Sequence, residues 1–161
     1  MMMIALASCA ASEAAPSPAA SNITAPKGWV GDAALAKTAA SAAAGDKITV
    51  LGSDAWSESS RGCYAIWVDL SGSAGPVDVA ADALIEAMTR ELTGVTIRDR
   101  QMPVPGETGT LAFAFDKLPY HGKLRAELTK TGEIRALACM WNQREPKACE
   151  AGCTGMLGAV R

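Results

Sequence analysis

Five cysteines carry most of the reactive potential of this chain: Cys9, Cys63, Cys139, Cys149 and Cys153. Four thiolates suffice to hold zinc, yet the paired Cys-x-x-Cys knuckles that make such a motif specific are absent. A redox Cys-x-x-Cys is absent too, and Cys149-x-x-x-Cys153 is a poor substitute for one. Structural disulfides are the third reading. His121, in Pro119-Tyr120-His121-Gly122, is the only histidine. A Ser-His-Asp triad would have to use it, and no Gly-x-Ser-x-Gly elbow precedes it, so it reads as a solvated residue in a turn. Gly72-Ser73-Ala74-Gly75 could gather N–H groups around an anion, but it lacks the lysine and spacing of a P-loop and reads as a turn and helix cap. Asp69 shares a strand face with Cys63 and Trp67 and reads as a strand-end residue. Glu107, Glu127 and Glu133 show no paired spacing. Trp141-Asn142-Gln143-Arg144-Glu145 is a polar loop with an aromatic shoulder, either a helix-start turn or a contact patch.

The periodicities that must position these residues are clearest near the end of the chain. From Glu133 to Trp141, Ile134, Ala136, Ala138 and Met140 alternate with Arg135, Leu137, Cys139 and Trp141, which predicts a strand covered on both sides. Pro146 sits where a helix starts, and Cys149, Gly152, Cys153, Met156, Leu157 and Val160 make one apolar stripe. The glycines at 152, 155 and 158 weaken this helix but allow close approach to a sheet. Upstream, Asp32 caps an Ala-rich helix ending at Gly45, Lys47 to Leu51 reads as a short strand, and Gly52 to Ser60 as a polar loop. Strands follow over Arg61–Leu70, Val95–Gln101, Thr108–Asp116 and Lys123–Thr129, with a helix over Pro76–Leu92 between the first two. In Lys123–Thr129, Leu124, Ala126 and Leu128 point inward and Lys123, Arg125 and Glu127 outward. Lys130-Thr131-Gly132 turns the chain into the last strand, so three consecutive strands form a meander.

Composition bounds the class. The chain has 161 residues, 49% hydrophobic and 20% charged, which fits one globular domain with a tail. A net charge of −2 without a basic run argues against nucleic acid as partner. Aromatics are 5%, so the core rests on small aliphatic side chains. No run of about 18 apolar residues is present. Short-linked strands outnumber helices, which predicts an α+β fold: an antiparallel sheet with helices packed on both faces. The element order over residues 27–161 is similar to the PsbP-like α/β/α sandwich, a fold named for an extrinsic photosystem II subunit and shared with bacterial lipoproteins. The likeness is topological and carries over no site residue.

Leu6-Ala7-Ser8-Cys9 resembles the lipobox of bacterial lipoproteins, in which the cysteine becomes the lipidated first residue. No Lys or Arg precedes it and the apolar stretch is shorter than the ~7–15 residues of a signal peptide, which puts the true start upstream of Met1. Residues 1–8 are then a signal remnant, and residues 9–26 a lipidated Cys9 with an Ala/Ser/Pro tether. The Asn22-Ile23-Thr24 sequon is idle in that setting. The resemblance implies a bacterial cell envelope location, anchored to the membrane through Cys9. Ala10, where many inner-membrane lipoproteins carry Asp, points to the outer membrane. Export leaves four cysteines in an oxidising compartment, hence two disulfides. An i, i+4 pair within a helix is too far apart for an easy bridge, so each helix cysteine is expected to pair with a strand cysteine, Cys139–Cys149 and Cys63–Cys153 being the first choice among the connectivities. No catalytic, cofactor-binding or metal-binding residue is assigned. The expected role is a non-enzymatic binding or accessory module for an unknown protein or small ligand. An exported hydrolase or thiol-redox enzyme without a recognisable motif is the alternative.

Overall fold

A computed structural model describes residues 21–72, 75–144 and 146–161. The lipobox, Cys9 and most of the tether lie outside them, as do Ser73, Ala74 and Glu145. The described chain runs β1 (Val30–Gly31), α1 (Ala33–Ala43), β2 (Thr49–Glu58), β3 (Cys63–Ser71), α2 (Val77–Glu91), β4 (Thr96–Gln101), β5 (Gly109–Lys117), β6 (Tyr120–Leu128), β7 (Glu133–Asn142) and α3 (Pro146–Gly158). The strands form a seven-stranded antiparallel sheet in the order β1-β2-β3-β7-β6-β5-β4. The fold is α+β. Strands β4 to β7 meander, and β7 inserts beside β3, so the chain between β3 and β4 must travel from mid-sheet to the far edge. α2 makes that crossing.

Alternation decides which residues meet. On β7, Ile134 and Ala136 belong to a core with Leu111, Phe113, Phe115, Leu124, Leu128 and the α2 residues Val77, Ala80, Ala81 and Ile85. Leu137, Cys139 and Trp141 belong to a second core with Cys63, Ala65, Trp67 and the α3 residues Cys149, Cys153, Met156 and Leu157. α1 is capped as expected, Asp32 Oδ1 accepting from Leu35 N at 2.9 Å, and it is shallow, with Ala36 its buried residue.

Three expectations are corrected here. The polar run from Gly52 onward is strand rather than loop: β2 pairs with β3 from Glu58↔Cys63 to Thr49↔Ser71, past an irregularity at Val50/Gly52. Its small residues Gly52, Ala55 and Ser57 are buried, so the segment fits a covered sheet without large apolar side chains. Gly62, at φ 66°, closes this hairpin in a left-handed conformation that a side chain disfavours. The disulfides are Cys63–Cys149 and Cys139–Cys153, with Cα–Cα distances of 5.6 and 5.8 Å. Each helix cysteine does meet a strand cysteine, but the partners are exchanged. Cys63 sits opposite Trp141 and Cys139 opposite Ala65, so α3 meets Cys63 near its start and Cys139 one turn later. Finally, of the α3 glycines only Gly152 is closely approached, and by the chain's own leading segment: a Cβ there would lie 3.0 Å from Pro26 Cγ and 3.5 Å from Trp29 Nε1.

That leading segment is part of the stretch assigned to the tether. Ser21 N donates to Asp54 Oδ2 at 3.0 Å, and Ile23 is buried in the α3-side core.

Candidate functional site

β6 alternates strictly. Gly122, Leu124, Ala126 and Leu128 are buried, while His121, Lys123, Arg125 and Glu127 are half-buried on the side occupied by α3. Across the strand pair, His121 faces Asp116, Lys123 faces Ala114 and Arg125 faces Ala112. Alanines on β5 therefore leave the space above them open, with long polar side chains standing on one flank. The other flank is β4, whose register with β5 breaks between Arg98 and Gln101. Asp99 sits in that break at φ 54°, in the left-handed region that Asp tolerates better than most residues.

The result is two adjoining cavities. One, 290 Å³, is lined by Asp99, Ala112, Ala114, Lys123, Arg125 and Leu157. The other, 280 Å³, is lined by Arg98, His121, Trp141 and Glu150, and shares Asp99, Ala114 and Lys123 with the first. Together they form a trough between α3 and the β4 edge, with an alanine floor.

Its charges are paired in a chain. Arg98 Nε donates to Asp116 Oδ2 at 2.6 Å, and the other oxygen of Asp116 is hydrogen-bonded to His121 Nδ1. The Arg98 hydrogen bond, then that of His121, holds the Asp116 carboxyl below the usual aspartate range, and Asp116 raises Arg98 in return. Lys123 Nζ bonds Glu150 Oε1 at 3.0 Å and lies 6.0 Å from the Trp141 ring centroid. Arg125 Nη2 bonds Glu127 Oε1 at 2.9 Å, an oxygen that also accepts from Thr110 at 2.6 Å. Arg125 Nε, by contrast, is buried without a partner. A buried donor without an acceptor is costly, so this is a local weak point of the sheet.

His121 is therefore not in a turn. It lies inside β6, fixed by Asp116, and the turn is made by Leu118 and Pro119 instead. Cys63, Cys139, Cys149 and Cys153 are together under α3, all buried in disulfides and away from the trough lining. Asp69 is elsewhere, beside Arg135 at the other end of α3, in a cavity of 240 Å³. Glu127 lies on the trough flank; Glu107 pairs with Lys130 at 3.0 Å, and Glu133 ends the β3–β7 ladder opposite Ser71. Among the described residues, no three His, Cys, Asp or Glu side chains converge as a metal-binding group. Asn142 to Arg144 caps β7 through an Arg144 N to Asn142 Oδ1 bond of 3.0 Å. Arg98, Asp99, Asp116 and the β5 alanines escaped the sequence reading. The one available signal was the pairing of small Ala112 and Ala114 with long Arg125 and Lys123 across a predicted hairpin. Comparison with protein-family models, curated proteins and solved structures found no match to this chain.

Proposed function

We propose that this chain is a lipid-anchored binding module of the bacterial cell envelope, an α/β/α sandwich tethered through Cys9, whose working surface is the trough between α3 and β4. The observation that carries the binding role is the alanine floor flanked by the long side chains of Lys123 and Arg125: a segment of a partner protein laid over Ala112 and Ala114 fills the gap between them. The charges around the floor are already paired with one another, which supports recognition of a mixed-charge partner rather than a strongly acidic or basic one.

The test is cross-linking in intact cells. A photoreactive residue placed at Ala114 is expected to give a discrete protein adduct, whereas one placed at the exposed Val79 of α2 is not. Arg125→Ala should abolish the adduct. Adducts from both positions, or from neither, refute the trough as the working surface. The anchor is tested separately: Cys9→Ser should move the protein from the membrane fraction to the soluble fraction and abolish palmitate labelling, because a diacylglycerol and an amide-linked chain exceed the two signals needed for stable anchoring.

The enzyme alternative takes support from the Asp116–His121 hydrogen bond, which orients the imidazole as a general base is oriented. The lining residues named for the trough include no serine, threonine or cysteine to receive such help, and the thiols of the folded part are in buried bridges.

A further inference from the structure

The cavity beyond the C-terminal end of α3 is separate from the trough and is built differently. Its 240 Å³ are lined by Asn22, Ile23, Trp67, Asp69, Arg135 and residues 159–161. Asp69 is buried, at 5% exposure, and its Oδ1 has no hydrogen-bond partner. The other oxygen, Oδ2, stands 3.6 Å from Arg135 Nε. Gly52, its neighbour on β2, has no side chain to reach it, and Asp69 itself lines the cavity. Next to it on the same strand face is Trp67, itself buried and lining the cavity. Arg135 is half-exposed at the rim, where its Nη1 donates to Arg161 O at 3.4 Å. A guanidinium has five N–H donors, so this fork keeps more than one to offer.

We propose that this cavity binds a small zwitterion of amino-acid size, its ammonium group held by the Asp69 carboxylate and the indole of Trp67, its anionic group by Arg135. Each half of the argument excludes a simpler ligand. A free anion meets the Asp69 carboxylate, and a bare cation meets the Arg135 guanidinium 3.6 Å from that carboxylate. A dipolar ligand satisfies both, and an ammonium gains from an aromatic face as well. The volume fits: 240 Å³ is room for about eight waters, below the roughly 300–1,000 Å³ of drug-sized pockets. Asn22 and Ile23 line the same cavity, so an occupant also touches the segment ahead of β1.

The experiment is a titration of the full chain, disulfides intact, with L-alanine, n-propylamine and propionate, read by calorimetry and by the NMR shift of the Trp67 indole N–H. L-alanine is expected to bind with a Kd of about 1 mM or tighter and to move that resonance. The amine and the acid alone should each bind at least about tenfold more weakly, because each leaves one buried or rim group unsatisfied. Asp69→Asn, close in shape, should weaken L-alanine at least about tenfold. Arg135→Gln, at a half-exposed position that threatens folding less, should weaken L-alanine and strengthen n-propylamine, because it removes the guanidinium that opposes a bare cation. His121→Ala, in the trough, should change none of these values. The proposal is overturned if no probe moves the Trp67 resonance at about 10 mM, the result for a cavity holding water only. It is equally overturned if n-propylamine binds as well as L-alanine, or if Asp69→Asn and Arg135→Gln both leave L-alanine binding intact.

Discussion

Removing one disulfide at a time should cost unequal amounts of stability. Cys63–Cys149 spans 86 residues and Cys139–Cys153 only 14. All four cysteines are at 0–1% exposure, so deleting either pair as alanines removes two buried sulfurs and the packing losses are similar. What differs is the restriction each bridge places on the unfolded chain. Loop-closure entropy gives about 4.6 kcal/mol for the long loop and about 3.0 kcal/mol for the short one. The C63A/C149A variant should therefore be less stable than C139A/C153A by about 1.6 kcal/mol. Urea denaturation followed by the fluorescence of the buried Trp67 and Trp141 measures this directly. The pairing is checked in parallel by digestion with trypsin and a Glu-specific protease. Glu150 lies between the two helix cysteines, so the peptides separate, and Cys149 should remain attached to the Cys63 peptide and Cys153 to that of Cys139. Each double variant should then retain one bridge and gain no free thiol. Equal midpoints, or a more stable C63A/C149A, would refute the loop-entropy argument; the exchanged peptides would refute the pairing.

Gly122→Ala should destabilise the sheet by about 1–3 kcal/mol in thermal unfolding, because a Cβ there collides with the buried Phe115 ring on β5. Gly155→Ala should do the opposite, raising stability by up to ~1 kcal/mol: its Cβ meets open space on α3, and alanine is the better helix former. The Asp116 carboxyl titrates lower in the folded protein, so its contribution is present above the ordinary aspartate range and is lost as pH falls through the folded value. Asp116→Asn should thus lower stability near neutral pH by less than about 1 kcal/mol, the pair being partly exposed, with the gap from the native protein closing under acid. Urea midpoints measured across the acid limb test this; a gap that widens at low pH contradicts the assignment.

What the sequence made legible follows from side-chain period. β3, β5, β7 and α2 carry large apolar residues at regular spacing, and each lies within a residue or two of where periodicity put it. Only the start of β2 is legible, as the strand over Lys47–Leu51; beyond it the buried positions are Gly52, Ala55 and Ser57, which carry no hydropathic signal, and the ladder with β3 supplies the rest. β6 was begun three residues late because Pro119 and Gly122 resemble turn punctuation, which hid His121 from its partner Asp116. The disulfide partners escaped because helix spacing ruled out a bridge within α3 but left open which strand cysteine lies nearer its start; only the β3–β7 register fixes that.

The same register explains why a trough exists. α3 has 13 residues, about 20 Å of helix, and a helix is about 10 Å wide against strands spaced about 4.8 Å apart. One such helix covers about two strands of seven. The two bridges fix which: Cys149 is tied to β3 and Cys153 to β7, so α3 cannot slide toward β5. Ile23 and Trp29 join the core formed by α3 with β3 and β7, leaving Ala112 and Ala114 with no helix above them. Long residues on β6 flank the gap and pair with Glu150 on α3 and with each other while staying partly exposed to solvent. The four bridged cysteines decide, by where they hold one short helix, which part of the sheet stays uncovered.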